Sequence, residues 1–268
     1  MKTHASGQFS GKIAVITGAA GTIGLAVAEH LASLGADIAL LDLQQDKLEE
    51  AATKVRQYGT IVRPYVCDVT DAKRVNSTTE KVVSDFGKID FLFNNAGFQG
   101  AFAPVQDYPE EDFNRVIQIN VCGAFHVLQA VARQMVEQKS GAIVNTASMA
   151  GVQGPPNMAA YGASKFAIVG LTQTASKDLA PHNIRVNAIS PAFMGPGPMW
   201  DMQVEKQAKA NTQYFSTDPE TVARQMIGSV PMRRYGNISE IPGVVSFLLS
   251  DAASYMTGVN LPIAGGIL

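Results

Sequence analysis

Ser148, Tyr161 and Lys165 stand in the stretch SMAGVQGPPNMAAYGASKFAIVGLTQ, residues 148–173. The tyrosine and lysine are four residues apart at the start of a helical pattern, a spacing that puts both on one helix face. A free phenol has a pKa of about 10, and a neighbouring ammonium favours its ionised form. A tyrosine so placed can act as a general base near neutral pH, while Ser148 hydrogen-bonds the oxygen losing its proton. Asn120, in VIQINVCGAF, is a polar residue in an otherwise apolar helical stretch, the mark of a buried hydrogen-bond site. Singly, each has a plainer alternative: a loop hydroxyl, a surface ring, a solvated charge. It is their joint position relative to the strands that points to chemistry.

Short apolar runs at 12–17, 37–42, 62–68, 89–94, 141–147, 184–190 and 259–264 predict buried strands. Helical patterns at 23–34, 44–57, 71–86, 109–138, 158–180 and 239–250 lie between them. In DVTDAKRV either Thr70 or Asp71 can cap the third helix. The alternation predicts an α/β fold, a Rossmann-type doubly wound parallel sheet of about seven strands with helices on both faces. Ligands of such sheets bind beyond the carboxyl ends of the strands, so the residues following each strand are the candidates. One region interrupts the pattern, 191–236, rich in Pro, Gly and Met, and reads as a segment covering the substrate. The whole chain, 1–268, is expected to form one catalytic domain.

The first strand runs into TGAAGTIG, residues 17–24, and then a helix. Gly18, Gly21 and Gly24, with Thr22 and Ile23, can bring backbone N–H groups and a helix N-terminus against a pyrophosphate. A tight strand-to-helix turn needs glycine too, and the spacing differs from GxGxxG. Asp42 ends the second strand where a carboxylate holds ribose hydroxyls and repels a 2′-phosphate, and Leu43 and Gln44 follow it rather than a cation. The expected cofactor is therefore NAD. Asp68 and Val69, after the third strand, are placed to touch adenine; Asp68 can equally cap the next helix.

The set TGAAGTIG, NNAG at 94–97, Asn120, Ser148 and YGASK at 161–165 resembles the short-chain dehydrogenase/reductase family over nearly the entire chain. The resemblance implies metal-free hydride transfer with NAD, Tyr161 as acid/base and Ser148 as the group polarising the substrate oxygen. It implies that Lys165 binds nicotinamide ribose and lowers the Tyr161 pKa, and that Asn120 holds a water relaying protons by way of Lys165. It also places Asn95, Ala96 and Gly97 along the nucleotide groove, with Tyr161 and Lys165 touching the cofactor. Three positions depart from the family pattern. Thr22 stands at the middle glycine, Ala192 follows Pro191 where glycine is usual, and Pro196 replaces a threonine that contacts the carboxamide. Nicotinamide placement is then expected to lean on Pro191, Phe193 and Met194.

Within that family the stretches FGKIDFLFNNAG, NTASMAGVQGPPNMAAYG and MGPGPMW resemble bacterial NAD-dependent xylitol dehydrogenases, implying oxidation of a polyol to a ketose, xylitol to D-xylulose. Residue chemistry alone stops at a secondary alcohol. Gln99, Gln153 and Asn157 suit hydroxyls, whereas Met149, Phe193 and Trp200, with Met158 and Met194, suit an apolar ketone as well. Rival expectations are a 3-oxoacyl or other ketone reductase of the same fold and a non-catalytic NAD(H) redox sensor. Asp42 opposes the NADPH of the first, and the sensor does not require Tyr161, Lys165, Ser148 and Asn120 together.

Hydrophobic residues make up 46% and charged residues 16% of the chain, and the net charge is −2 with no basic cluster. Neither nucleic acid nor an anionic membrane is an expected partner. The N-terminus lacks an apolar signal core and the longest apolar runs look too short for a span, so a cytoplasmic protein is expected. Cys67 and Cys122 sit in apolar contexts and read as core thiols, and His4, His30, His126 and His182 lack metal-like spacing. No metal is expected. The apolar faces of 109–138 and 158–180, which pair across a two-fold axis in the family, imply a homotetramer.

Overall fold

The computed structural model describes residues 7–267, so His4 lies outside the described residues. The strands are β1 Ile13–Thr17, β2 Asp37–Asp42, β3 Val62–Val66, β4 Phe91–Asn94, β5 Gly141–Thr146 and β6 Ile184–Pro191. Interleaved helices are α1 Thr22–Ser33, α2 Gln45–Arg56, α3 Ala72–Phe86, α4 Glu110–Ile117, α5 Ala124–Gln138 and α6 Ala159–Leu179. After β6 come the short β7 Met194–Gly195, α7 Pro198–Lys209, α8 Pro219–Ser229, the short β8 Gly236–Asn237, α9 Pro242–Leu249 and β9 Asn260–Ile263. Seven parallel strands form one sheet in the order β3-β2-β1-β4-β5-β6-β9. The order reverses between β1 and β4, the switch point that opens a crevice at the carboxyl ends. The predicted Rossmann-type sheet is present, with two apolar cores on its two sides.

Local chemistry explains the boundaries. β1 and β2 are buried almost end to end because helices cover both faces. β3 tolerates Pro64 because it is the sheet edge. Asp71, not Thr70, caps α3, its carboxylate accepting from the Lys73 and Arg74 N–H groups at 2.9 and 3.1 Å. At the far end Gly87 adopts φ 85°, the left-handed stop that glycine supplies freely. The predicted helix 239–250 begins later, at Pro242, behind a tight turn whose Asn237 and Glu240 form a capping box.

The predicted helix 109–138 is continuous but not regular. Gln118–Gly123 form a π-turn between α4 and α5, centred near Asn120. By length and composition Glu110–Gln138 is also apolar enough to cross a membrane, which the separate apolar runs did not reveal. Half of its apolar window is buried within the protein, where α5 packs against α3 and α4 against α6.

Gly24 is where helix and strand approach most closely. A Cβ there would stand 2.2 Å from the Gly18 carbonyl oxygen, so α1 can rest on β1 only with glycine. Gly24→Ala is expected to destabilise the fold by about 1–3 kcal/mol, read by chemical denaturation. An unchanged denaturation midpoint would mean that this approach is not tight.

Candidate active site

Two cavities meet at the carboxyl ends of the strands. The larger, about 890 Å³, runs from Asp42 and Asp68 past Gly18 and Gly97 to Lys165. The smaller, about 450 Å³, is lined by Ser148, Met149, Gln153, Pro191, Phe193 and Met194, among others. Ile23, Gln99, Thr146, Tyr161 and Met199 line both, so they form one cleft with Tyr161 at the junction.

The larger cavity is long, with a glycine-rich wall and the strand-end carboxylates Asp42 and Asp68 at one end. Gly18 has φ 61°, and a Cβ on it would press to 3.0 Å from the Ala96 Cα. Gly21, Thr22 and Ile23 form the lip, with the N-terminus of α1 facing the cavity. Gly24 packs beneath that lip and does not line the cavity, a correction to its expected ligand role. Asp42 is fixed by backbone donors: Oδ2 accepts from Ala20 N at 3.0 Å and Oδ1 from Leu43 N at 2.7 Å. Asp68 and Val69 line the same end, and Asp68 also accepts from Thr70 N at 2.9 Å, so lining and turn-bracing coexist. The floor is tied together by Thr17, whose Oγ1 accepts from Asn95 N at 2.9 Å and Ala96 N at 3.0 Å. Asn95 donates from Nδ2 to Thr17 O at 3.2 Å and accepts from Thr146 Oγ1 at 3.2 Å.

At the junction, Lys165 is 5% exposed and donates to Thr146 O at 2.7 Å, with its amine 5.5 Å from the Tyr161 ring centre. Ser148 has extended backbone and accepts from Ala150 N at 3.2 Å, with its hydroxyl 3.4 Å from Pro191 O. Burial pushes the Tyr161 phenol above its ordinary value, against the pull of its hydrogen bond to Ser148. The expected lowering is therefore not what the protein alone produces, because desolvation of the phenolate outweighs the hydrogen bond from Ser148. Burial also brings the Lys165 amine down to about 8.

Asn120 is buried, and its amide is occupied by protein. Oδ1 accepts from Phe98 N at 2.7 Å, and Nδ2 donates to Phe98 O at 2.9 Å and Ser164 Oγ at 3.0 Å. The side chain is thus a strap on the 94–98 loop. A Cβ on Gly97 would lie 3.4 Å from Asn120 Oδ1 and 3.7 Å from Lys165 Nζ, so glycine keeps the space between them open.

The family described as short chain dehydrogenase matches residues 12–208. The chain belongs to that family. It is 68% identical to a xylitol dehydrogenase crystallised with NAD+, with a TM-score of 0.96 over 97% of this chain and 100% of that one. Levodione reductase of Leifsonia aquatica is 37% identical, covering 97% of this chain and 95% of its own. The 3-oxoacyl-(acyl-carrier-protein) reductase FabG of Thermotoga maritima is 36% identical, covering 97% and 99%.

In this short-chain dehydrogenase the departures from the family pattern are accommodated locally. Ala192 is not among the residues with left-handed backbone, and its N–H bonds Ile263 O at 3.0 Å, so glycine is not required after Pro191. Pro191, Phe193 and Met194 line the smaller cavity and not the larger one. Pro196 precedes α7 at an exposed position and lines neither cavity.

Two expected substrate contacts are corrected. Asn157 is buried and donates to Gln207 Oε1 at 3.0 Å and Thr212 Oγ1 at 3.1 Å, tying its loop to the region after α7. Trp200 is 7% exposed and packs against Phe193 and Tyr235 in a separate small core of α7 and α8. Trp200 itself lines neither cavity, and burial of its large ring helps to hold the 191–236 segment together. Gln99, Met149, Gln153 and Phe193 do line the smaller cavity, and Gln99 Oε1 is buried without a hydrogen-bond partner.

Several lining residues have no signal in the sequence. Met199, Gln203, Gln207 and Phe215 come from the irregular segment, where neither period nor motif marks a position. Thr146 and Cys67 were within reach, since both sit at or just after strand ends. Cys67 is a buried free thiol as expected, yet it also forms part of the cavity wall, and Cys122 is only half-buried on the π-turn. His30 bonds Ser246 Oγ at 3.1 Å and His126 bonds Val69 O at 3.0 Å, both from helices.

The buried amine has a measurable signature. Lys165 falls from 10.5 unfolded to about 8 folded, so between those values the unfolded chain binds more protons and stability rises with pH. Its burial therefore opposes folding fully below pH 8, by about 3 kcal/mol, and progressively less up to pH 10.5. Denaturation of the cofactor-free protein from pH 7 to 11 should show this rise, and Lys165→Met should lack it. Parallel pH curves for the two proteins would disprove the assignment.

Proposed function

We propose that this enzyme oxidises a polyol to a ketose with NAD, with xylitol to D-xylulose as the reaction. The observation that carries the reading is the 68% identity to the NAD+-bound xylitol dehydrogenase, with a TM-score of 0.96. NAD fits the larger cavity. Gly18, Gly21, Thr22 and Ile23 would cradle its pyrophosphate, Asp42 its adenosine ribose, Asp68 and Val69 its adenine, and Tyr161 and Lys165 its other ribose. When bound, NAD supplies the hydride acceptor and a positive ring beside Tyr161.

The chain's own residues handle the proton. Ser148 binds the substrate hydroxyl and aligns it with the Tyr161 oxygen, and Tyr161 removes its proton as the carbinol carbon gives up hydride. The Lys165 ammonium, held by Thr146 O, stabilises the phenolate form that accepts this proton and becomes phenol, and the positive ring of bound NAD would add to that stabilisation. Together these charges offset the burial that raises the phenol in the protein alone. The proton then leaves toward Lys165 and the gap kept open by Gly97 beside Asn120.

The 191–236 segment covers the substrate, and the whole chain acts as one catalytic domain. A cytoplasmic homotetramer is the form we propose, because Phe113 on α4, Phe125 on α5 and Phe166 on α6 are 38%, 43% and 47% exposed. Light scattering should give the mass of four chains; a monomer refutes that part.

The FabG relative supports a second reading, reduction of a 3-oxoacyl thioester. Asp42 argues against NADPH as the reductant for such a reaction in this chain. NADH formation measured against a panel of polyols, beside NADPH oxidation with 3-oxoacyl thioesters, separates the two. Turnover confined to thioesters overturns the polyol reading.

A further inference from the structure

Gln207, on α7, is 3% exposed and lines the smaller cavity. Its Oε1 accepts from Asn157 Nδ2 at 3.0 Å. Asn157 reaches it from a left-handed backbone with φ 66°, a conformation asparagine tolerates better than most side chains. The same Nδ2 also donates to Thr212 Oγ1 at 3.1 Å, so the Asn157 amide is held by two acceptors. That bond fixes which end of the Gln207 amide is spent: the oxygen is satisfied, and Nε2 has no hydrogen-bond partner among the described residues.

Gln207 Nε2 has no protein acceptor and belongs to a residue lining the cavity, so a ligand acceptor there gains a hydrogen bond that the protein itself does not supply. The cavity around it is otherwise largely apolar, with Met149, Met158, Met194 and Phe215 in its walls. Gln99 enters the same cavity from the β4 side, and its buried Oε1 also lacks a partner. Its last torsion is soft, so a small rotation can bring that acceptor to a ligand. An unsatisfied donor and an unsatisfied acceptor in one apolar cavity match hydroxyl groups, which both donate and accept. A plain alkyl chain would leave both unpaired.

We infer that Gln207, oriented by Asn157, reads a hydroxyl remote from the reacting carbon, with Gln99 as its complement, and so selects polyhydroxylated substrates over simple alcohols. This rests on the polyol reading above and adds the residue that enforces it. The test is the ratio of kcat/KM for xylitol to that for 1,2-butanediol, which keeps the reacting carbinol and one neighbour but lacks the other hydroxyls. Both values come from one preparation, so any loss of folded enzyme cancels. Gln207→Met should lower the ratio about tenfold or more. Gln207→Glu, which keeps an acceptor for Asn157 and replaces the donor, should lower it too, and Asn157→Ala should lower it less. An unchanged ratio in both Gln207 variants overturns the inference while leaving the polyol reading intact. A wild-type enzyme inactive on every polyol removes both.

Discussion

Tyr161→Phe lowers kcat by about 10²- to 10⁴-fold or more, and leaves NAD affinity within about twofold. The substitution removes one oxygen. The ring that lies 5.5 Å from the Lys165 amine remains, as does the Lys165 bond to Thr146 O, so the walls of the larger cavity keep their shape. What disappears is the hydroxyl that hydrogen-bonds Ser148 and that we propose takes the substrate proton. Steady-state kinetics with xylitol, paired with calorimetric titration of NAD, measures both quantities. If affinity and turnover fall together, Tyr161 is a cofactor-binding residue and the proton assignment is wrong.

Asp42→Ser combined with Leu43→Arg moves the NAD-to-NADP preference by about 100-fold or more toward NADP. The carboxylate is pinned by Ala20 N and Leu43 N, and therefore cannot swing away from a 2′-phosphate. Like charges held together in this way cost several kcal/mol. Serine removes that repulsion and can still accept from the turn. Leu43 is 61% exposed, so an arginine there reaches the phosphate without disturbing the core. The ratio of kcat/KM for the two cofactors is the measurement, and an unchanged ratio contradicts the ribose assignment for Asp42.

The sheet was legible in the sequence because it obeys local rules. Strands such as IAVIT and DIALLD carry uninterrupted apolar cores, IAVI and IALL, since both faces are covered, and that signature needs no tertiary information. The nucleotide end was legible for the same reason. Gly18, Asp42, Asp68 and Asn95 stand at or within two residues of strand ends, so placing the strands placed them. Helical spacing put Tyr161 and Lys165 on one face, and their position after the fifth strand put that face at the carboxyl end of the sheet.

What the tertiary structure decided lies where a residue's partner is distant in the chain. Asn120 meets Phe98 and Ser164 across 22 and 44 residues, so its side chain's part as a strap could not be read locally. Asn157 and Trp200 look like pocket residues by composition, yet one binds Gln207 across 50 residues and the other fills the small core of α7 and α8. The direction of the Tyr161 shift was also invisible in the sequence, because it depends on how much water the surrounding walls exclude. Backbone periodicity is written into the chain residue by residue, whereas a side chain's hydrogen-bond partner and its desolvation are set only when remote segments close around it.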